Sequence, residues 1–178
     1  MNCFKSINLT KDYGKLRLGL LSVLFSLTYF IVYFMLFRMF HPETIYMQTG
    51  LVPIVLLSIL VIPMHTLLHC IPIWLSGHKA WMILADNRFS FFCRIPGILP
   101  KRTALIAVAF PMVVITGIAF AGPLFFPEYL HVFAIISTLN MYLCLKDMIY
   151  IFHLWNSPRD SYLEDSPNGF QIIVRRTF

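Results

Sequence analysis

Charge is scarce in this chain. Of 178 residues, 12% are Asp, Glu, Lys or Arg, about half the share of an average soluble domain. Too few polar groups remain to cover a soluble surface, so a water-soluble fold is excluded. Acidic residues are the scarcer sign, 8 against 14 Lys and Arg, which leaves a formal net charge of +6. The basic residues flank apolar stretches and form no stripe with interleaved aromatics, so they read as membrane topology signals and exclude a nucleic-acid partner. Cysteine is scarce too. Cys3, Cys70, Cys93 and Cys144 show no C-x-x-C spacing. On the topology below they lie in the membrane or on the cytosolic side, where thiols stay reduced, and no disulfides are expected. Internal repeats and low-complexity segments are lacking as well.

Apolar residues are abundant. The AVILMFWYC set makes up 58% of the chain, with 17 Phe, which excludes disorder. The length suits a single domain. Uncharged runs long enough to cross a bilayer, about 20 residues, occur four times, with spanning parts near 18–37, 51–75, 103–127 and 130–155. The fold class is therefore an α-helical integral membrane protein with four transmembrane helices. Lys5, Lys11, Lys15 and Arg17 precede the first span, and Lys79, Arg88, Arg94, Lys101 and Arg102 link the second and third. Arg159, Arg175 and Arg176 lie in the tail, 156–178, while the other side offers only Arg38. This bias places both termini in the cytosol, with a bacterial cytoplasmic membrane as the location. Trp74, Trp81 and Trp155 fall near the cytosolic boundaries, where indoles favour the headgroup layer. The first span is too long for a signal-peptide core, and Phe37-Arg38-Met39-Phe40 is too bulky for a cleavage site.

Two stretches lack a helical pattern. Between 79 and 95, Trp81 and Ile83 alternate on one arm and Phe89, Phe91 and Cys93 on the other, with Asp86-Asn87 at the turn. This predicts a small interfacial β-hairpin between helices 2 and 3. In the tail, Phe170, Ile172 and Val174 alternate after Pro167-Asn168-Gly169 and suggest a third strand. An irregular amphipathic loop fits both stretches equally well.

Ionisable groups inside the spans are costly and therefore candidate functional residues. His65 and His69 sit at i and i+4 in span two, on one helical face, where two imidazoles can hold one metal ion. Asp147 sits in span four. Counted from the cytosolic ends of the two spans, all three fall in one layer roughly 10–17 Å deep. Two imidazoles and a carboxylate, with water in the fourth position, make an open zinc site. They can equally hydrogen-bond neighbouring helices or pair with a cation. Lys146 points about 100° away from Asp147 and is expected to snorkel. Pro63 and Pro72 bracket the pair and could kink the helix beside a wet cavity. His41, His78 and His131 are expected to be solvated, His153 is off the face of Asp147, and Cys70 and Cys144 read as packing residues.

The residues also carry a resemblance. Pro63-Met64-His65-Thr66-Leu67-Leu68-His69 is similar to the P-x-H-E-L-L-H of a bacterial membrane family of zincin peptidases, a domain of unknown function that distantly resembles site-two intramembrane proteases. Pro100-Lys101-Arg102, Ala109-Phe110-Pro111 and Leu145-Lys146-Asp147-Met148 resemble later motifs of that family in order. Asn156-Ser157-Pro158, Glu164-Asp165-Ser166-Pro167 and Gly169-Phe170 resemble its ending. The resemblance implies zinc as cofactor, held by His65, His69 and Asp147. It breaks at Thr66, where the family has its glutamate. That glutamate takes a proton from metal-bound water and passes it to the leaving amine, and a threonine hydroxyl does not.

Three readings stay open. The first is a membrane zinc metallopeptidase relative that is catalytically impaired, a pseudoprotease that binds metal and holds a membrane-proximal peptide or protein at the hairpin edge. The second is an active peptidase with another base; no other carboxylate is expected at the depth of the histidines. The third is a small transporter or structural membrane protein. Apart from such a peptide, the expected partner is the lipid bilayer.

Overall fold

A computed structural model of the chain describes residues 2–40, 42, 45–47, 49–84, 91–166 and 169–174. Strand β1 (Asn2–Ile7) and a short helix α1 (Leu9–Tyr13) lead into the first long helix, α2 (Lys15–Phe40). Helix α3 (Leu51–Leu75) is followed by β2 (Trp81–Leu84), β3 (Phe91–Arg94) and β4 (Ile98–Pro100). Helix α4 (Lys101–Phe125), a 3-10 turn at Pro127–Tyr129 and helix α5 (Leu130–Trp155) complete the bundle. The chain then returns through β5 (Ser161–Ser166) and β6 (Gly169–Val174).

Four helices are long and apolar enough to cross a membrane, and they match the four expected spans to within three residues at each end. Their most apolar windows are only 22–33% buried inside the protein. Leu20, Leu24, Ile31 and Met35 of α2 and Leu56 and Ile59 of α3 stand bare. Water would not tolerate such walls; lipid tails would. Helix α5 is the most buried of the four and packs on α2, α3 and α4. Polar clips join the helices where hydrocarbon offers no competing partner. Tyr29 and Ser137 share a 2.6 Å hydrogen bond, and the Tyr33 hydroxyl donates to the Ala119 carbonyl. Where α4 and α5 meet, a Cβ on Gly122 would come within 2.3 Å of the Phe133 ring, so a larger residue there would require that ring to move.

The expected hairpin is present. Strands β2 and β3 are antiparallel, with Trp81 opposite Arg94 and Ile83 opposite Phe92. Residues 85–90, which include Phe89 and the Asp86-Asn87 of the expected turn, lie outside the described residues. The tail differs from expectation. Strand β6 does form, but it does not extend the hairpin. It sits inside a separate four-stranded antiparallel sheet, ordered β1-β6-β5-β4. Local alternation revealed β6 and not its neighbours, because β1 (NCFKSI) and β5 (SYLEDS) carry no clean period of two. Since β1 precedes α2, β4 runs directly into α4 and β6 follows α5, this sheet gathers both ends of the chain at one end of the bundle.

A core of Cys70, Ile73, Leu99, Ala107, Leu154 and Leu163 joins α3, α4 and α5 to the sheet. Helix α3 stops where Gly77 adopts φ 79°, a left-handed turn in which the His78 N–H returns to the Ile73 carbonyl.

Candidate metal centre

Helix α3 stacks His65 and His69 one turn apart on the face turned toward α5. Their ring centroids are 4.9 Å apart and nearly perpendicular. The two Nε2 atoms lie 3.2 Å from each other. From α5, Asp147 places Oδ2 3.0 Å from Nε2 of His65 and 3.6 Å from Nε2 of His69. All three side chains are less than a fifth exposed. The three residues singled out in the sequence thus converge on one point.

The other ring nitrogens decide what that point needs. Nδ1 of His69 is 2.8 Å from the Ala107 carbonyl of α4, an atom that can only accept, so Nδ1 carries the proton. Nδ1 of His65 lies 2.9 Å from Oδ1 of Asn140 and donates in the same way. In the neutral rings both Nε2 atoms are therefore lone pairs, and they face a carboxylate oxygen. One added proton satisfies one edge of this triangle at a time, whereas a divalent cation at its centre satisfies all three. Ligands about 2.0–2.1 Å from a tetrahedral zinc stand about 3.3 Å from each other. Edges of 3.0, 3.2 and 3.6 Å fit that figure. The donor set and its geometry fit zinc, with Asn140 and the Ala107 carbonyl as the outer contacts that orient metal-binding imidazoles.

A cavity of about 320 Å³ opens on the triangle. His65, Thr66, His69 and Asp147 form one wall, and Leu99 and Phe170 of the sheet line it as well. The sheet therefore walls part of the approach to the histidines. Thr66 lies between them on α3, with its hydroxyl donating to the Ile62 carbonyl at 3.2 Å. Asp165 of β5 accepts the Ile95 N–H at 3.3 Å, and Ile95 lines the same cavity. Asp165 itself does not line the cavity; its carboxylate stands one hydrogen bond behind the lining, at Ile95.

The remaining candidates divide. Lys146 is exposed, and the ion pairs of Asp147 run to the two histidines. Helix α3 continues unbroken through Pro63 and Pro72. His78 is in the loop after α3, beside Ser76, and His41 lies outside the described residues. His131 departs in part from expectation: it is half-buried, with Nε2 bonded to the Thr49 hydroxyl and Nδ1 buried. His153 meets Lys5 at 3.3 Å. Cys144 is fully buried, as a packing residue would be. Its Sγ also lies within a 4.8 Å group with the ligand atoms of His65 and Asp147, looser than the triangle.

Cys70 and Cys93 were not expected to meet. Their sulfurs are 2.9 Å apart, bringing α3 and β3 together, and both are free thiols. Contact with the Cys70 sulfur, and then burial, raises the Cys93 thiol above its ordinary range. Asn140 was also missed, although one signal pointed to it. Ser137, Asn140, Cys144 and Asp147 recur at three- and four-residue spacing along an otherwise apolar helix.

No curated protein and no solved structure matches the chain. A protein-family model does match, over residues 58–162, more than half the chain and a segment that holds His65, Thr66, His69 and Asp147. With the paired histidines and the facing aspartate in one layer of a four-helix bundle, the chain belongs to the family described as Putative zincin peptidase.

Proposed function

We propose that this protein is a membrane-embedded zinc-binding member of its family that has lost the ordinary peptidase route and holds a membrane-proximal peptide without cutting it. The observation that carries the metal reading is the triangle of His65 Nε2, His69 Nε2 and Asp147 Oδ2, whose edges suit a tetrahedral ion and whose imidazole protons are committed elsewhere. When bound, zinc would supply a Lewis acid at the floor of the cavity. The chain's own residues then set the outcome. Asn140 and Ala107 hold the rings, and Asp147 lowers the charge of the site. Thr66 stands where a carboxylate would shuttle the proton. Its hydroxyl does not titrate near neutral pH, and losing a general base costs typically 10²–10⁴-fold in rate. An extended peptide would add to the free edge of the β2–β3 hairpin, whose Cys93 lines the cavity. The Lys/Arg bias supports the bacterial cytoplasmic membrane with both termini in the cytosol.

Zinc content tests the reading. Protein purified without chelators is expected to hold about one zinc per chain, and a His65→Ala/His69→Ala variant none. A zinc-free wild type that also fails to take up added zinc ends the proposal.

A second reading is an active peptidase whose base is another carboxylate, with Asp165, one hydrogen bond behind the cavity lining at Ile95, as the candidate. The two readings separate on a membrane-proximal peptide substrate. The first expects no cleavage by wild type and a gain in Thr66→Glu. The second expects cleavage by wild type that Asp165→Asn abolishes.

A further inference from the structure

We propose that Cys70 and Cys93 form a reversible disulfide that clamps the hairpin onto α3 beside the metal centre. Their sulfurs stand 2.9 Å apart, inside the ~3.5–4.0 Å at which unbonded heavy atoms pack best. A bond of about 2.05 Å needs a further approach of only about 0.9 Å. The two sulfurs belong to elements that no hydrogen-bonded ladder connects. Cys70 lies on α3 next to His69 in sequence, whereas among the described residues β2 and β3 pair only with each other and stay separate from the four-stranded sheet. A lone two-stranded hairpin is marginal. Its described anchors on α3 are packing, the Trp74 indole donating to the Ala80 carbonyl at 3.0 Å, and this thiol contact. A covalent link here changes how firmly the cavity wall is held.

Access sets the order of events. Cys70 is fully buried, whereas Cys93 lines the cavity and is the sulfur that an incoming disulfide meets. The oxidant is a small disulfide carrier of the glutathione class. The Cys93 thiol first loses its proton to water, a step that its raised range slows. The thiolate then attacks, the departing carrier thiolate takes up a proton, and a mixed disulfide remains. The Cys70 sulfur then displaces the second carrier thiol, which takes the second proton. One S–S bond breaks and one forms, and two electrons pass to the carrier. The bond requires no metal, so the pair stands or falls independently of zinc.

The test uses the full chain in lipid nanodiscs, first reduced and then equilibrated with oxidised glutathione. Alkylation and peptide mapping are expected to show loss of two thiols per chain, a Cys70–Cys93 linked peptide, and full reversal by dithiothreitol. An unchanged thiol count, glutathione retained on Cys93, or cross-links between chains would overturn the proposal. Hydrogen exchange reads the clamp itself. Amides of β2 and β3 are expected to exchange several-fold more slowly in oxidised than in reduced wild type, with no such change in Cys93→Ala. Equal exchange in a protein shown to carry the bond would refute the clamp.

Discussion

Asn140 illustrates how one residue can decide what a metal site does. It is wholly buried, and its Oδ1 takes the Nδ1 proton of His65, which turns the other nitrogen toward Asp147. Replacing it with leucine leaves a buried N–H without a partner and frees the ring to change tautomer. Loss of such an outer contact typically weakens metal binding 10–100-fold. Asn140→Leu is therefore expected to lower zinc affinity by about that factor with the helices intact. Asn140→Asp, which keeps an acceptor oxygen, should hold zinc nearly as well as wild type. Competition with a chromogenic chelator reads both. Thr66 works at the same scale in the opposite sense: the scaffold around it suits a metal, while its own hydroxyl lacks the acidity range the chemistry needs.

Among the elements, the sheet at the bundle end has the most specific packing. Gly169 opens β6 at φ 145°, and a Cβ there would come within 2.1 Å of the Ile7 carbonyl oxygen of β1. Backbone cannot yield as a flexible side chain does. Gly169→Ala is expected to unpair β1 from β6 at a cost on the order of 1–3 kcal/mol. Faster exchange of the amides of residues 2–7 would report it, with α3 and α5 unaffected. Unchanged protection of β1 would mean that the sheet does not depend on this approach. Helix α5 carries a different burden. Much of α2 and α3 is left uncovered by the rest of the protein, whereas α5 is the most buried of the long helices and brings Asn140 and Asp147 to α3.

At the level of the whole molecule, four apolar helices and a sheet that joins the first and last described strands suit the proposed topology, with an even number of crossings and both termini on one side. Positive charge favours the cytosolic face. A fluorescent protein fused to the C-terminus is accordingly expected to fold and fluoresce, and alkaline phosphatase fused at the same point to stay inactive. The reverse pattern would invert the orientation and place the cavity on the outer side. Such an inversion would also put the Cys70–Cys93 pair in an oxidising compartment, where a permanent bond would replace a reversible one.

Much of this was legible in the residues themselves. Hydrocarbon demands about 20 apolar residues per crossing, so 58% apolar content divided by three intervals left little choice about the helices. Helical periodicity likewise put His65 and His69 on one face, and depth counting put Asp147 level with them. Pairing partners are another matter. The β1-β6-β5-β4 order joins residues up to 172 positions apart, and no local pattern encodes such contacts. The same holds for Asn140 against His65, Asp165 against Ile95 and Cys93 against Cys70, each set by helices and strands meeting in space. The sequence alone determined that the chain carries four segments long and apolar enough to cross a membrane and which ionisable side chains fall within them. Only the tertiary structure decided which of them share a point, because that depends on packing between segments and not on the period within one.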